Sequence, residues 1–197
     1  YTHLIVILDK SGSMGFLASD TIGGVNKLVA DQKALPGSFT ASLYQFNDSV
    51  KEVQSFTELT ALNYQPSGGT ALLDAVCQVV DQEGAELHAL PETSRPDKVV
   101  VVIVTDGQEN SSTKYKREDV RTRIKLQSEL YKWQFVFLGA NIDAFAEASS
   151  FNINMKGVMQ FNMTPDSILR SYSCTSSAMT AYRAGATADV DLSQQTK

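Results

Sequence analysis

Apolar and polar positions fall along the chain in blocks of two lengths. Short unbroken apolar runs, "HLIVIL" at residues 3–8 and the six β-branched aliphatics of Val99 to Val104, mark strands covered on both faces. Longer stretches carry apolar residues at helical spacing instead. Ile22, Val25, Leu28 and Val29 share one side of a helix that Pro36-Gly37 stops. Leu72, Leu73, Val76, Cys77, Val79 and Val80 give a second helix a broad apolar face. Further strands are predicted at Phe39–Phe46, around Val50 to Phe56, at Trp133–Ala140 and around Val158–Phe161. Further helices are predicted from about Glu118 to Tyr131, near Asp143 to Ser149, and from Asp166 to Arg183. Thr164-Pro165-Asp166 suits a helix start: threonine accepts from a free amide, and proline at the first position gives up no needed hydrogen bond.

Strand and helix alternate with short connections, which predicts a mostly parallel sheet between two layers of helices, because parallel neighbours need long crossovers. The turn at Asn47-Asp48 predicts a hairpin. The expected fold is therefore an α/β doubly wound, Rossmann-like sheet of six strands, mostly parallel with one antiparallel edge strand. One domain is expected over residues 1–197, with a core at about 3–183 and a C-terminal tail at 184–197. In such sheets ligands bind beyond the carboxyl ends of the strands, where the strand order reverses.

Two acids occupy that position. Asp9 ends the first strand and Asp106 follows the aliphatic run. Asp9, Ser11 and Ser13 alternate in "DKSGS", so their side chains can converge, with Gly12 expected to allow the tight path. Thr70 follows Gly68-Gly69 in a third loop expected at the same sheet edge. Oxygen donors of this kind suit a hard divalent cation rather than zinc. Taken singly, each stretch is ordinary turn and capping chemistry. Gln108, Glu109 and Asn110 either shape the rim of such a site or start the next helix.

"DKSGS", "GGT" and "TDG", in this order, resemble the metal-ion-dependent adhesion site of von Willebrand factor A domains, and the likeness extends over the strand and helix succession from about residue 3 to 183. The resemblance implies that Ser11, Ser13 and, with ligand bound, Thr70 coordinate Mg²⁺ directly, Mn²⁺ or Ca²⁺ being possible substitutes. Asp9 and Asp106 would act mostly through ordered waters, and a Glu or Asp carboxylate of a partner protein would complete the shell. Uncharged hydroxyls leave most of the ion's charge uncompensated, which favours capture of an incoming carboxylate. The implied function is a non-catalytic protein-binding module. Two alternatives are an assembly subunit docking on an ATPase-type complex and a Mg²⁺-dependent phosphatase using Asp9 as nucleophile. The latter's pattern calls for an acid two residues on, where this chain has Ser11. The last helix, 166–183, is the element that shifts in some such domains; here it carries a single apolar stripe of Ile168, Tyr172, Met179 and Tyr182.

Composition narrows the classes further. Of 197 residues, 17 are basic and 22 acidic, a net charge of -5 that opposes nucleic-acid binding. The apolar runs fall well short of the ~20 residues a bilayer demands. His3 and His88 are the only histidines, each expected in an ordinary structural role, and neither a G-x-G-x-x-G nor a Walker lysine is present. Cys77 and Cys174 are far apart and are expected to be unpaired, which leans toward a cytoplasmic setting, with an extracellular one as the alternative.

Overall fold

In the computed structural model the chain folds as a three-layer α/β sandwich. The structure describes residues 1–53, 56 and 58–195. Six strands, β1 (Thr2–Asp9), β2 (Phe39–Phe46), β3 (Val50–Val53), β4 (Lys98–Thr105), β5 (Gln134–Gly139) and β6 (Val158–Gln160), lie in the order β3-β2-β1-β4-β5-β6. Five of them run parallel, and the short β3 lies antiparallel to β2 at one edge. Residues 54 and 55 of the strand expected there lie outside the described residues. Five helices, α1 (Ala18–Lys33), α2 (Leu72–Ala89), α3 (Arg117–Leu130), α4 (Ala144–Ser150) and α5 (Pro165–Arg183), cover the two faces.

Strand alternation divides the core in two. Leu4, Val6 and Leu8 of β1 with Val100, Val102 and Val104 of β4 face α1 and α5. Ile5 and Ile7 with Val101 and Ile103 face α2, α3 and α4. Every residue of β1 is buried, which is why its sequence reads as one apolar run rather than an alternating one. After β1 the chain winds toward β2 and β3, then returns past β1 to β4. That reversal leaves a crevice beyond the carboxyl ends of β1 and β4, which are paired from Thr2↔Lys98 to Leu8↔Val104.

Two expectations change at the C-terminal end. The segment after α5 is not outside the core: Val190 and Leu192 are buried in it. Nor does α5 pack through a single stripe, because Ser171, Cys174, Thr175, Ser176 and Ala178 are buried alongside the expected residues. Polar ties secure it further. The Gln32 amide donates to the Ser176 carbonyl at 2.9 Å, the Arg183 guanidinium reaches the Gln32 carbonyl, and the Lys98 ammonium donates to the Tyr182 carbonyl at 2.7 Å. Neither Cys77 nor Cys174 forms a disulfide, and both are buried.

The contact between α1 and α5 depends on one absent side chain. A Cβ at Gly24 would lie 2.2 Å from the Tyr172 ring, which is buried at 2% exposure and cannot swing away. Gly24→Ala should therefore lower stability by about 1–3 kcal/mol, although alanine is the better helix former by about 1 kcal/mol. Chemical denaturation of both proteins checks this; an unchanged or higher midpoint would contradict it.

Candidate metal-binding site

The five residues singled out in the sequence come together at the carboxyl ends of β1 and β4. Asp9 is fully buried. Its Oδ1 accepts from the Ser11 amide at 2.6 Å, and its Oδ2 accepts from the Thr105 hydroxyl at 2.7 Å. Both oxygens are thus engaged in holding the loop. Ser11 has extended backbone, φ -60° and ψ 163°, and leads directly into a 3-10 helix, Gly12–Leu17. That helical step is what places the Ser11 and Ser13 hydroxyls 3.2 Å apart. Ser13 donates on to Asp106 Oδ1 at 2.7 Å, linking the loop after β1 to the loop after β4 across 93 residues.

Asp106 Oδ2 is buried and has no hydrogen-bond partner among the described residues. A buried carboxylate oxygen left unpaired costs free energy unless something positive faces it. Burial pushes the carboxyl of Asp106 above its ordinary range; the Ser13 bond works against this, and the Asp9 charge adds to it. Burial likewise pushes Asp9 up, opposed by its bonds from Ser11 and Thr105. Thr70 is buried in the same crevice. Its backbone amide donates to Asn110 Oδ1 at 2.9 Å, and its hydroxyl makes no hydrogen bond to Ser11, Ser13 or Asp106. That hydroxyl lies beside Gly107, 3.7 Å from where a Cβ would stand.

The donor set fits a hard cation: three hydroxyls and two carboxylates, all oxygen, with one buried carboxylate oxygen lacking a partner. Among the described residues no group of three or more His, Cys, Asp or Glu is placed to hold a metal. A site with only two acids would not form such a group.

The tight turn expected at Gly12 belongs to Gly68. A Cβ on Gly12 would meet only ordinary contacts, whereas Gly68 has φ +76° and accepts the Gly12 amide on its carbonyl at 3.0 Å. Beneath the site, Tyr64 donates from its hydroxyl to the Asp9 carbonyl at 2.7 Å, and its phenol is pushed well above the ordinary range by burial. Tyr64 escaped the sequence reading because a tyrosine in a loop carries no spacing signal, whereas Thr105 stood in the "TDG" motif without a role of its own.

The open question at Gln108 to Asn110 resolves in part toward structure. Glu109 accepts from the Leu73 amide at the start of α2 at 3.0 Å and from the Ser112 amide at 2.6 Å, so it ties α2 to its own loop. Asn110 holds the Thr70 backbone. His3 is also structural. Its Nε2 faces both Glu83 at 3.1 Å and Ser42 at 3.4 Å, and its Nδ1 faces Thr40 at 2.7 Å.

No protein-family model matches the sequence, and no curated protein matches it. Solved structures do. The vWF domain of the type V pili tip protein Mfa5 from Porphyromonas gingivalis superposes with a TM-score of 0.61 at 9% identity, covering 91% of this chain and 95% of that one. The chain has the von Willebrand factor A fold. Proximal thread matrix protein 1 from the mussel byssus shares it, with a TM-score of 0.65 and 14% identity over 87% of this chain and 46% of that one. A further structure of that protein has a zinc-occupied MIDAS motif. The manganese-loaded TRAP protein of Plasmodium vivax matches with a TM-score of 0.55 and 15% identity over 85% of this chain and 71% of that one. This von Willebrand factor A fold thus spans a little under half the length of the byssus protein.

Proposed function

We propose that the chain is a non-catalytic protein-binding module that holds a divalent cation between Asp9, Ser11, Ser13, Thr70 and Asp106 and uses it to capture an acidic residue of a partner protein. The observation that carries this reading is the buried, unpartnered Asp106 Oδ2 beside two hydroxyls 3.2 Å apart. A cation bound there would supply a Lewis-acidic centre for an incoming Glu or Asp carboxylate. The protein's own groups do the rest. Asp9 fixes the backbone of the first loop through Ser11, Ser13 spans from that loop to Asp106, and Asn110 positions Thr70. Carboxylates that orient the hydroxyls rather than neutralise the ion leave the centre electron-poor, and this favours recognition over storage.

Mg²⁺ is the proposed ion on its chemistry, because a small hard cation tolerates water-mediated carboxylates. The zinc and manganese named for the byssus and Plasmodium proteins support a divalent ion of some kind. The byssus and the pilus tip also favour an extracellular setting over the cytoplasmic one that the cysteines suggest. Among the described residues no helix is long and apolar enough to cross a membrane.

The test has two readings. Mn²⁺ should bind at one site by electron paramagnetic resonance and be lost in Ser11→Ala. Protein capture from native extract should need Mg²⁺, stop with chelator, and fail with Ser13→Ala. Capture that persists in chelator would remove the proposal.

A further inference from the structure

The pole opposite the cation site holds a cavity of about 400 Å³ between the C-terminal ends of α2 and α3. Leu87, Val99, Leu126, Tyr131 and Trp133 form its apolar walls. Two locally unfavourable choices make room for it. Gly84, in the interior of α2, is the poorest helix former after proline, and a Cβ there would stand 3.0 Å from Gln127 Nε2. Lys132 adopts a left-handed φ of 60°, rare for a side chain of its length, and this turn carries Trp133 from the end of α3 into the cavity wall.

Trp133 is 6% exposed and stacks on Phe135 with ring centroids 6.4 Å apart, so its plane is fixed. Its indole N–H nevertheless has no hydrogen-bond partner among the described residues and is not sealed from solvent. A nearly buried tryptophan ordinarily finds an acceptor for that group. Arg95 also lines the cavity: its Nε and Nη2 bond to the Leu90 and His88 carbonyls, and Nη1 remains for another acceptor. Asp97, on the same rim, is turned to the amino terminus at 2.6 Å.

We propose that this cavity binds a small molecule with a flat apolar body and a hydrogen-bond-accepting head, a carbonyl or carboxylate. The body lies against Trp133, Val99 and Leu126, and the head accepts from the indole N–H and the Arg95 guanidinium. The volume sets the size class. It falls in the range of about 300–1,000 Å³ that holds compact ligands, and a cavity with apolar walls and a few convergent donors is the usual form of such sites.

Trp133 is the chain's only tryptophan, so a single indole N–H resonance reports on the cavity. The whole ¹⁵N-labelled chain is titrated to millimolar concentration with 4-phenylbutanamide, 4-phenylbutyrate and 4-phenylbutylamine. The amide and the acid should move that resonance saturably, and the amine should not, because its head only donates. Gly84→Leu, which fills the space and improves helix propensity, should weaken binding at least about tenfold without lowering the melting temperature. Gly84→Ala serves as a second variant should leucine disturb the fold, and a smaller loss is expected there. An indole resonance that stays put with all three probes, or moves equally in both variants, would overturn the proposal. So would self-association in sedimentation that buries Leu126, Leu130 and Tyr131.

Discussion

Asp106→Asn is expected to raise the stability of the cation-free protein while reducing its affinity for divalent ions by about 100-fold. The two effects have one origin. Burial and the neighbouring Asp9 charge push the Asp106 carboxyl above its ordinary range, so the ionised form is the strained one at neutral pH. A group whose folded-state pKa is raised contributes stability below its unfolded value of 3.8 and loses it as pH rises through the folded value. Asparagine has the same shape and no charge, and it removes that penalty. Without cation the melting temperature of Asp106→Asn should therefore lie above that of the wild-type protein. With cation the order reverses. The wild-type protein should gain melting temperature in millimolar Mn²⁺ or Mg²⁺, and Asp106→Asn should gain almost none. Melts of both proteins in chelator and in metal decide the matter; equal stabilisation of the two by metal would show that Asp106 does not face the ion.

The second large effect lies in the core. Glu83 projects from the apolar face of α2 and is buried at 2% exposure. Burial pushes its carboxyl up, but the bond and charge of His3 and the bonds of Ser42 and Tyr44 outweigh this and hold it below its ordinary value of 4.5. Tyr44 donates to Oε1 at 2.9 Å, and His3 sits 3.1 Å from Oε2. Glu83→Ala removes the acceptor for both and leaves a cavity. The expected loss is about 3–5 kcal/mol. The sign with pH is opposite to that of Asp106. A lowered carboxyl contributes stability above its unfolded value, and that contribution is lost as pH falls through the folded value. The gap between wild type and Glu83→Ala should therefore be full at neutral pH and narrow below about pH 4.5, where the unfolded carboxyl protonates first. Denaturant melts across that range measure it, and a gap independent of pH would contradict the assignment.

Glu83 also shows where sequence reading stops. Its neighbours Val79, Val80 and Leu87 place it on the buried side of α2, yet nothing in the local pattern announces a partner. His3 and Tyr44, which satisfy it, are 80 and 39 residues away. Separation along the chain likewise hides Tyr64 from Asp9 and Trp133 from Gly84. The second core face, by contrast, is legible at once in Ile5, Ile7, Val101 and Ile103, because periodicity is a local property that needs no partner to read it.

The sequence by itself determined the class of fold and the kind of chemistry gathered at one edge of it. Unbroken aliphatic runs call for a parallel sheet, and Asp9, Ser11, Ser13, Thr70 and Asp106 follow elements whose ends must lie on the same side. Tertiary structure decided which oxygens are already committed. Asp9 spends both carboxylate oxygens on Ser11 and Thr105, whereas Asp106 keeps one buried and unpaired. Hydrogen bonding is directional and short-ranged, so the difference between two aspartates at two strand ends rests on fractions of an ångström between segments that the sequence separates by nearly a hundred residues.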